Sequence, residues 1–253
     1  MLRSLAARSL SARQKSSIRS LAFRVGRYRR RPVEEIVDDL VTLDGARSFL
    51  QIGANDGYLS DPLNLAIWRH RLSGTFVEPQ SNYFRDLQDT YRGFADMRFL
   101  QYAIAAEAGS MTMYTLDCAG GRLPAWARGV GTLSRQQIEK FGDQIDDIQS
   151  HIRADNVECI TVADLLPRTL HPDPDMLVVD AEGFDHLILS QFDFARLQTR
   201  LVIYETESMG AHHAAELARR FEACGFGLIE AGQDTLALRR TTATFGKHAR
   251  TPS

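Results

Sequence analysis

Two groups of residues in this sequence have the types and spacing that a cofactor site needs. The first is Gly53-Ala-Asn-Asp-Gly57, a turn with a glycine at each end that follows a short apolar run. Glycine lets the backbone turn tightly and come close to a ligand. The second is Glu78, which ends the next apolar run, where a carboxylate can accept hydrogen bonds from both ribose hydroxyls of a nucleoside. Together they favour a nucleoside site, although the turn alone could be an ordinary strand-to-helix connection.

The turn also limits which nucleoside it could hold. It lacks the GxGxxG spacing of dinucleotide-binding turns, and the chain has no GK[ST] phosphate loop. Asp56 lies inside the turn, and its carboxylate would repel a pyrophosphate while suiting an amine or a sulfonium. A cationic nucleoside cofactor is therefore favoured. An NAD-dependent enzyme remains the alternative, and a thermal-shift assay with NAD and with a cationic nucleoside would distinguish the two classes of protein.

Acidic residues follow two later apolar runs and could remove a proton from an acceptor. Asp180 and Glu182 come directly after a run of Leu and Val, and Glu205 follows the next run. A hydroxyl acceptor must lose its proton, which favours a nearby carboxylate or histidine as base. The same acids could instead be solvent-facing N-caps, since carboxylates suit the starts of helices. We expect Asp180, Glu182 and Glu205 to be catalytic candidates.

Two adjacent histidines, His212 and His213, follow the last of these acids. Neighbouring helix positions point about 100° apart, so at most one of them can face a crevice. His212 is our catalytic candidate, and the alternative is that both are solvated at a helix start. Glu205 and Glu207 could join them at a metal ion, but no compact ligand motif such as HExxH is present, so we predict no metal site.

Elements that would position these residues alternate along the chain between strands and helices. This alternation predicts an α/β fold with a mostly parallel sheet wound on both faces, in which ligands sit at the carboxyl ends of the strands. The strands are predicted at 48–53, 74–78, 97–104, 157–162, 175–180, 200–204, 226–230 and 235–239, with 110–116 as an extension of the sheet, and the longer helices at 33–43, 61–71, 81–91 and 211–224.

Charge is distributed very unevenly along the 253 residues. Residues 1–31 hold ten Lys and Arg and no acid, and the rest carries 20 basic against 32 acidic groups. An acidic body argues against nucleic-acid binding, which needs clustered basic residues. The basic segment could be a solvated, partly helical tail, a peripheral anchor on anionic lipid, or an organelle-targeting peptide.

Composition and length give the remaining expectations. Three scattered cysteines without a CxxC motif indicate reduced thiols and a cytoplasmic protein, and no apolar run is long enough to span a membrane. We divide the chain into the basic segment 1–31, a catalytic domain 32–240 and a loose tail 241–253. The irregular stretch 117–134, with Arg122, Trp126, Arg128 and Leu133, could be a lid over the site or a surface loop. The sequence does not determine the oligomeric state.

Four motifs resemble the FkbM family of S-adenosylmethionine-dependent methyltransferases. They are Phe49-Leu-Gln-Ile-Gly-Ala-Asn-Asp-Gly57, Phe76-Val-Glu-Pro79, Asp175-Met-Leu-Val-Val-Asp-Ala-Glu-Gly-Phe184 and Gln233-Asp-Thr-Leu-Ala237. The resemblance covers roughly residues 33 to 240. It implies a class I methyltransferase (Rossmann-like) fold, with a seven-stranded, mostly parallel sheet whose C-terminal strand is antiparallel. It also implies methylation, usually O-methylation, of a small molecule, sugar or lipid-linked glycan.

The resemblance also assigns roles to individual positions. The cofactor would be bound by residues of three strand ends and by Asp180: Gln51, Gly53, Asn55, Asp56, Gly57, Glu78, Pro79, Tyr102, Ala103 and Asp180. Glu78 would hold the ribose, while Asp180 and Glu182 would lie beside the transferring methyl group. Many methyltransferases have an acid at the position of Gln51, and an amide there leaves open a non-catalytic, membrane-associated binding module on the same fold.

Overall fold

A seven-stranded sheet forms the centre of the computed structural model, which describes residues 10–24, 31–118 and 123–249. In chain order the strands are β1 Ser48–Ile52, β2 Ser73–Val77, β3 Met97–Leu100, β4 Ala103–Ile104, β5 Gly109–Leu116, β6 Gly131–Thr132, β7 Ile152–Ile160, β8 Met176–Val179, β9 Leu201–Glu205, β10 Phe226–Ala231 and β11 Asp234–Arg239. The helices are α1 Ala12–Arg24, α2 Pro32–Leu43, α3 Asn64–His70, α4 Ser81–Thr90, α5 Arg135–Glu139, α6 Ile148–His151, α7 Val162–Leu165, α8 Asp185–Ser190, α9 Ala211–Ala223 and α10 Ala243–His248, with short 3₁₀ turns at Ala125–Ala127, Lys140–Asp143 and Leu166–Arg168.

The strand order of the main sheet is β10-β11-β9-β8-β1-β2-β3. Strands β9, β8, β1, β2 and β3 pair in parallel, and β11 runs antiparallel to both β9 and β10. The predicted class I methyltransferase fold, with an antiparallel C-terminal strand, is confirmed. The carboxyl ends of the five parallel strands therefore meet along one edge of the sheet.

Apolar side chains cover both faces of this sheet because successive residues of a strand point to opposite sides. Phe49 and Phe76 pack on the face that carries α2, whereas Leu50 and Val77 pack on the face that carries α8 and α9. A parallel sheet buried on both faces needs continuous apolar strands. All four residues of β8 are buried, which is why its sequence is a plain Met-Leu-Val-Val run.

A second, four-stranded sheet with the order β4-β7-β5-β6 was not predicted. The apolar pattern predicts 97–104 as one strand of the main sheet and 110–116 as its extension. In the structure the chain leaves the main sheet after Leu100, and Ala103–Ile104 pairs with β7 instead. Strand β7 also runs longer than predicted, because its polar, exposed first half pairs antiparallel with β5 and lacks the apolar pattern that marks a buried strand.

Helix α1 brings part of the basic N-terminal segment onto the folded body. It contacts α3 and α4, and its Ser16 and Ser20 are buried. Residues 1–9 and 25–30 lie outside the described residues. Within residues 10–24, 31–118 and 123–249, no helix has the length and apolar character needed to cross a membrane.

The C-terminal segment was expected to be loose, but residues 243–248 form α10, which packs against α2. Asp44 accepts hydrogen bonds from the backbone N–H of Ala243 (2.7 Å) and of Thr244 (3.0 Å). Asp39 pairs with both Lys247 and His248 at 2.6 Å. Two carboxylates of the body thus hold the segment, and the expectation of a loose tail was wrong for these residues because nothing nearby in sequence reveals those partners.

Candidate active site

The carboxyl ends of the parallel strands open into a cavity of about 1360 Å³. Most residues predicted to bind a cofactor or to act in catalysis line it. Those that do are Gln51, Gly53, Asn55, Glu78, Pro79, Tyr102, Ala103, Asp180, Glu182 and Glu205. The sheet topology brings them together because each follows, or ends, a strand at the same edge.

Gly53 is the point at which the ends of β1 and β8 come closest. Its backbone φ is +77°, a conformation that side chains disfavour, and a Cβ atom there would lie 1.8 Å from the carbonyl oxygen of Asp180. The N–H groups of Gly53 and Ala54 both donate to the carbonyl oxygen of Val77, at 2.9 and 3.1 Å. The turn is therefore fixed to both neighbouring strands, and only glycine fits at its start.

Asp56 and Gly57, also predicted to bind the cofactor, do not line the cavity. Asp56 Oδ1 accepts hydrogen bonds from the N–H groups of Tyr58 (2.9 Å) and Leu59 (2.7 Å), so this carboxylate shapes the turn. A Cβ atom on Gly57 would collide with the ring of Tyr91, at 2.6 Å. Both residues support the turn from behind, and the prediction of ligand contact is not supported at these two positions.

Glu78 is buried at the end of β2, with 3% of its surface exposed. Its two carboxylate oxygens accept hydrogen bonds from the backbone N–H of Asn55 (2.9 Å) and of Gln80 (2.8 Å). Burial raises the pKa of Glu78 from 4.5 to about 7, although these two hydrogen bonds act in the opposite direction. The carboxyl group thus links the glycine turn to β2 and retains lone pairs for a ligand.

Gln51 carries a buried acceptor that the protein leaves unsatisfied. The residue is 3% exposed and lines the cavity, and its Oε1 atom has no hydrogen-bond partner among the described residues. Leaving a buried acceptor unpaired typically costs about 1–3 kcal/mol. A donor entering the cavity from a ligand would remove that cost.

Five carboxyl groups lie close enough to interact electrostatically: Asp180, Glu182, Glu205 and Asp234, which line the cavity, and Asp185, which is buried beside them. The side chain of Asp180 is solvent-accessible where it faces the cavity, but the protein atoms around it desolvate the carboxylate. That desolvation and the nearby acids, Glu182 first among them, raise its pKa well above the ordinary value. Desolvation and Glu205 likewise raise the pKa of Glu182 and of Asp185 to about 7. The cluster therefore holds protons near neutral pH.

Asp234 belongs to this cluster but was not predicted. It begins β11 and lies opposite Glu205 in the antiparallel register between β11 and β9. Burial and Glu205 raise its pKa. Among the described residues, no group of three or more His, Cys, Asp or Glu side chains is arranged to hold a metal ion.

The structure places the two predicted histidines away from the cavity. His212 and His213 are exposed at the start of α9, and neither lines the cavity. His213 stacks on His186 with ring centroids 4.1 Å apart, and His186 Nε2 lies 3.1 Å from Glu216. The alternative reading of both histidines as solvated residues at a helix start fits the structure, and the catalytic assignment of His212 does not.

The described part of the predicted lid lies against the glycine turn. Gln80 Nε2 donates to the carbonyl oxygen of Gly129 at 3.0 Å, and a Cβ atom on Gly129 would lie 1.7 Å from Asn55 Nδ2. Trp126, Arg128 and Leu133 line the cavity, and Arg122 lies outside the described residues. The segment covers the site in this conformation, and its opening and closing stay a prediction.

Comparisons with known proteins extend this description. Residues 51–228 match the family described as Methyltransferase FkbM domain. The chain belongs to the FkbM methyltransferase family. This confirms the predicted family, and it is consistent with the expected S-adenosylmethionine cofactor. No curated protein matches the chain.

Solved structures similar to this FkbM methyltransferase have low sequence identity. Cofactor-bound Rv0187 from MTB is 14% identical, with a TM-score of 0.43, and the alignment covers 90% of this chain and 89% of that one. Precorrin-6y C5,15-methyltransferase from Geobacter metallireducens GS-15 is 10% identical, with a TM-score of 0.37 and coverages of 77% and 80%. The ribosomal protein L11 methylase from Lactobacillus delbrueckii subsp. bulgaricus is 10% identical, with a TM-score of 0.36 and coverages of 81% and 74%.

Proposed function

We propose that this FkbM-family protein uses S-adenosylmethionine to methylate a hydroxyl group of a small-molecule or glycan acceptor. The observation that carries the proposal is that an unsatisfied buried acceptor, Gln51 Oε1, and a buried carboxyl group, Glu78, line the same cavity beside the glycine turn. A nucleoside with an amino-acid side arm offers an ammonium donor and ribose hydroxyl donors. These are the groups that the two residues can accept.

The residues of the cavity fit this cofactor. Gln51 would accept a hydrogen bond from its ammonium group, Gly53 leaves room beside the backbone of Asp180, and Glu78 would accept from the ribose. Tyr102 and Ala103 border the cavity next to β3, where we place the adenine. When bound, S-adenosylmethionine supplies a methyl group that is activated by its positively charged sulfur. The acidic cluster favours a cation over a neutral molecule.

The protein's own residues would orient the acceptor and remove its proton. Glu182 lines the cavity, and its pKa of about 7 suits a base that works near neutral pH. Asp180, whose pKa desolvation and the neighbouring acids also raise, would orient the acceptor hydroxyl. Glu205 faces the same cluster and accepts a hydrogen bond from Ser208 Oγ at 2.7 Å. The segment 123–134 would exclude water from this region.

Cofactor binding can be tested with Gln51→Leu. This variant removes an unsatisfied buried acceptor, so we expect the ligand-free protein to be at least as stable as wild type. Binding of S-adenosylhomocysteine, measured by calorimetry, should weaken about tenfold or more, because a hydrogen bond to a charged group is worth about 1.5–3 kcal/mol. Unchanged binding would remove Gln51 from the site, and absence of binding to folded wild-type protein would refute the proposed cofactor.

Turnover can be tested with Asp180→Asn and with Asp155→Asn as its control. Asp155 is exposed on β7 and does not line the cavity, whereas Asp180 follows the end of β8 and lines it. We expect only Asp180→Asn to lower methyl transfer from radiolabelled S-adenosylmethionine across a panel of hydroxyl acceptors, while cofactor affinity changes less. Wild-type rates in Asp180→Asn would remove this residue from the reaction.

A non-catalytic binding module on the same fold is the alternative. The amide of Gln51, in a position where many methyltransferases have an acid, is the observation that favours it. Calorimetric binding of S-adenosylmethionine without transfer to any acceptor in the panel would support the module. Transfer to one acceptor would exclude it.

A further inference from the structure

Helix α1 presents an apolar pair to solvent on the side away from the body. Ile18 and Leu21, one helical turn apart, are 53% and 61% exposed, while Ser16 and Ser20 are buried on the opposite side. An exposed large aliphatic residue is unremarkable alone. Two on one helical face, beside the exposed Gln14 and Ser17, form a small amphipathic patch on the outward side of α1.

The same helix lies in the most basic part of the chain. Residues 10–24 contain Arg13, Lys15, Arg19 and Arg24 and no acid. Residues 1–31 hold ten basic residues, whereas the remaining chain has 20 basic and 32 acidic groups, a net charge of −12. An anionic surface would therefore attract the α1 side of the protein and repel the rest, which fixes the orientation in which the protein approaches it.

Helix α1 is attached to the body by buried polar contacts. Asn64 Nδ2 donates to Ser16 Oγ at 2.9 Å, and Arg19 pairs with Glu34 at 3.7 Å and hydrogen-bonds to Asn64 Oδ1. The guanidinium of Arg19 also lies 4.9 Å from the centre of the Tyr58 ring. These contacts make α1 part of the fold, which argues against a detachable targeting peptide over this stretch.

We propose that α1 docks this protein on a membrane surface rich in anionic lipid. Ile18 and Leu21 enter the headgroup region, and the net positive charge of residues 1–31 draws this side of the protein to the lipid phosphates. Two aliphatic side chains give little apolar burial, so the docking is reversible and depends on charge. The helix is also close to the candidate active site, because Tyr58 precedes Leu59, which is 40% exposed and lines the cavity.

The proposal can be tested by vesicle co-sedimentation of the full chain. With vesicles that contain about 30% phosphatidylglycerol in phosphatidylcholine, we expect binding at least tenfold stronger than to phosphatidylcholine alone, since each basic residue near the surface contributes about fivefold. Raising the salt from about 0.1 M to 0.5 M should remove most of the binding, because screening shortens the reach of the charges.

The decisive variant is Ile18→Ser/Leu21→Ser, with Leu43→Ser as its control. Leu43 is 52% exposed at the end of α2 and outside the proposed surface. We expect the double variant to lose about tenfold or more of the vesicle binding and Leu43→Ser to keep it, because Ile18 and Leu21 are the apolar side chains of the docking surface, even though each is only partly buried in the headgroup region. Both changes are at exposed positions, and circular dichroism with S-adenosylhomocysteine binding will verify that the fold and the cofactor site are intact.

Several results would overturn the proposal. These are equal binding to neutral and anionic vesicles, absence of binding, and unchanged binding in the double variant. A self-association that Ile18→Ser/Leu21→Ser abolishes, without vesicle binding, would assign the surface to a second copy of this chain. Recovery of the native protein from cells with a first residue beyond 24 would show that α1 is removed. None of these outcomes depends on methyl transfer, so they leave the proposed function unaffected.

Discussion

Glu78 should make the stability of the ligand-free protein depend on pH in a way that a single substitution can isolate. Burial raises its pKa in the folded state from 4.5, the ordinary value expected in the unfolded chain, to about 7. The folded protein therefore binds a proton more tightly than the unfolded chain. The stability contributed by this group is full below pH 4.5 and is lost as the pH rises to about 7.

The size of this effect follows from the pKa difference. A pKa change from 4.5 to about 7 corresponds to about 3 kcal/mol, of which about 2 kcal/mol falls between pH 5.5 and pH 8. Glu78→Gln keeps the shape of the side chain but cannot titrate. We expect the free energy of unfolding of wild type minus that of Glu78→Gln to fall by about 2 kcal/mol over this pH range.

Urea denaturation followed by circular dichroism at several pH values measures this difference. The other raised carboxyl groups, such as Asp180 and Asp185, titrate in both proteins and cancel when the two are subtracted. Any constant penalty from placing an amide next to the N–H groups of Asn55 and Gln80 shifts the difference without changing its slope. A difference that stays constant within about 0.5 kcal/mol across the range would refute the argument that burial controls this carboxyl group.

Three further outcomes are expected. Gly53→Ala should lower the free energy of unfolding, measured by urea titration, more than Gly45→Ala does. The two glycines have similar φ angles, +77° and +73°, but only at Gly53 would the added Cβ atom collide with the backbone of Asp180. Equal losses in the two variants would contradict this close approach. The methyl-transfer rate should rise with pH up to about 7 and then level off as Glu182 loses its proton; an unchanged pH–rate profile in Glu182→Gln would remove it as the base. Asp39→Asn should lower the free energy of unfolding at pH 7 by about 1–3 kcal/mol. Burial alone would raise the pKa of Asp39, but the hydrogen bonds from Lys247 and His248 outweigh burial and lower the pKa. The stability that this carboxylate contributes is lost as the pH falls through the lowered pKa, so a difference between variant and wild type that persists in acid would contradict the pairing.

Local sequence was sufficient to predict the parts of the site that follow directly from strand ends. Gly53, Glu78 and Asp180 each come immediately after a strongly apolar run, and parallel pairing places those three ends side by side. The position of these three residues at one edge of the sheet therefore followed from short motifs.

Residues that depend on long-range pairing could not be predicted in this way. Asp234 reaches the acidic cluster because β11 runs antiparallel to β9 and lies opposite Glu205, a register that no local pattern reveals. His212 was expected in the cavity because it follows β9, but the start of α9 turns it outward. The first half of β7 was missed because it is exposed and polar, so its strand structure depends on β5 rather than on apolar periodicity.

Helix α10, the last helix of the described residues, affects when the fold can be completed during synthesis. Asp39 and Asp44 lie about 200 residues before α10, which contributes Lys247 and the backbone N–H groups that these carboxylates accept from. During synthesis the ribosome releases the early helix α2 long before its partners exist. Until residues 243–248 have left the ribosome, Asp39 and Asp44 lack these contacts, so the attachment of α10 to α2 and its following turn is a late step in folding.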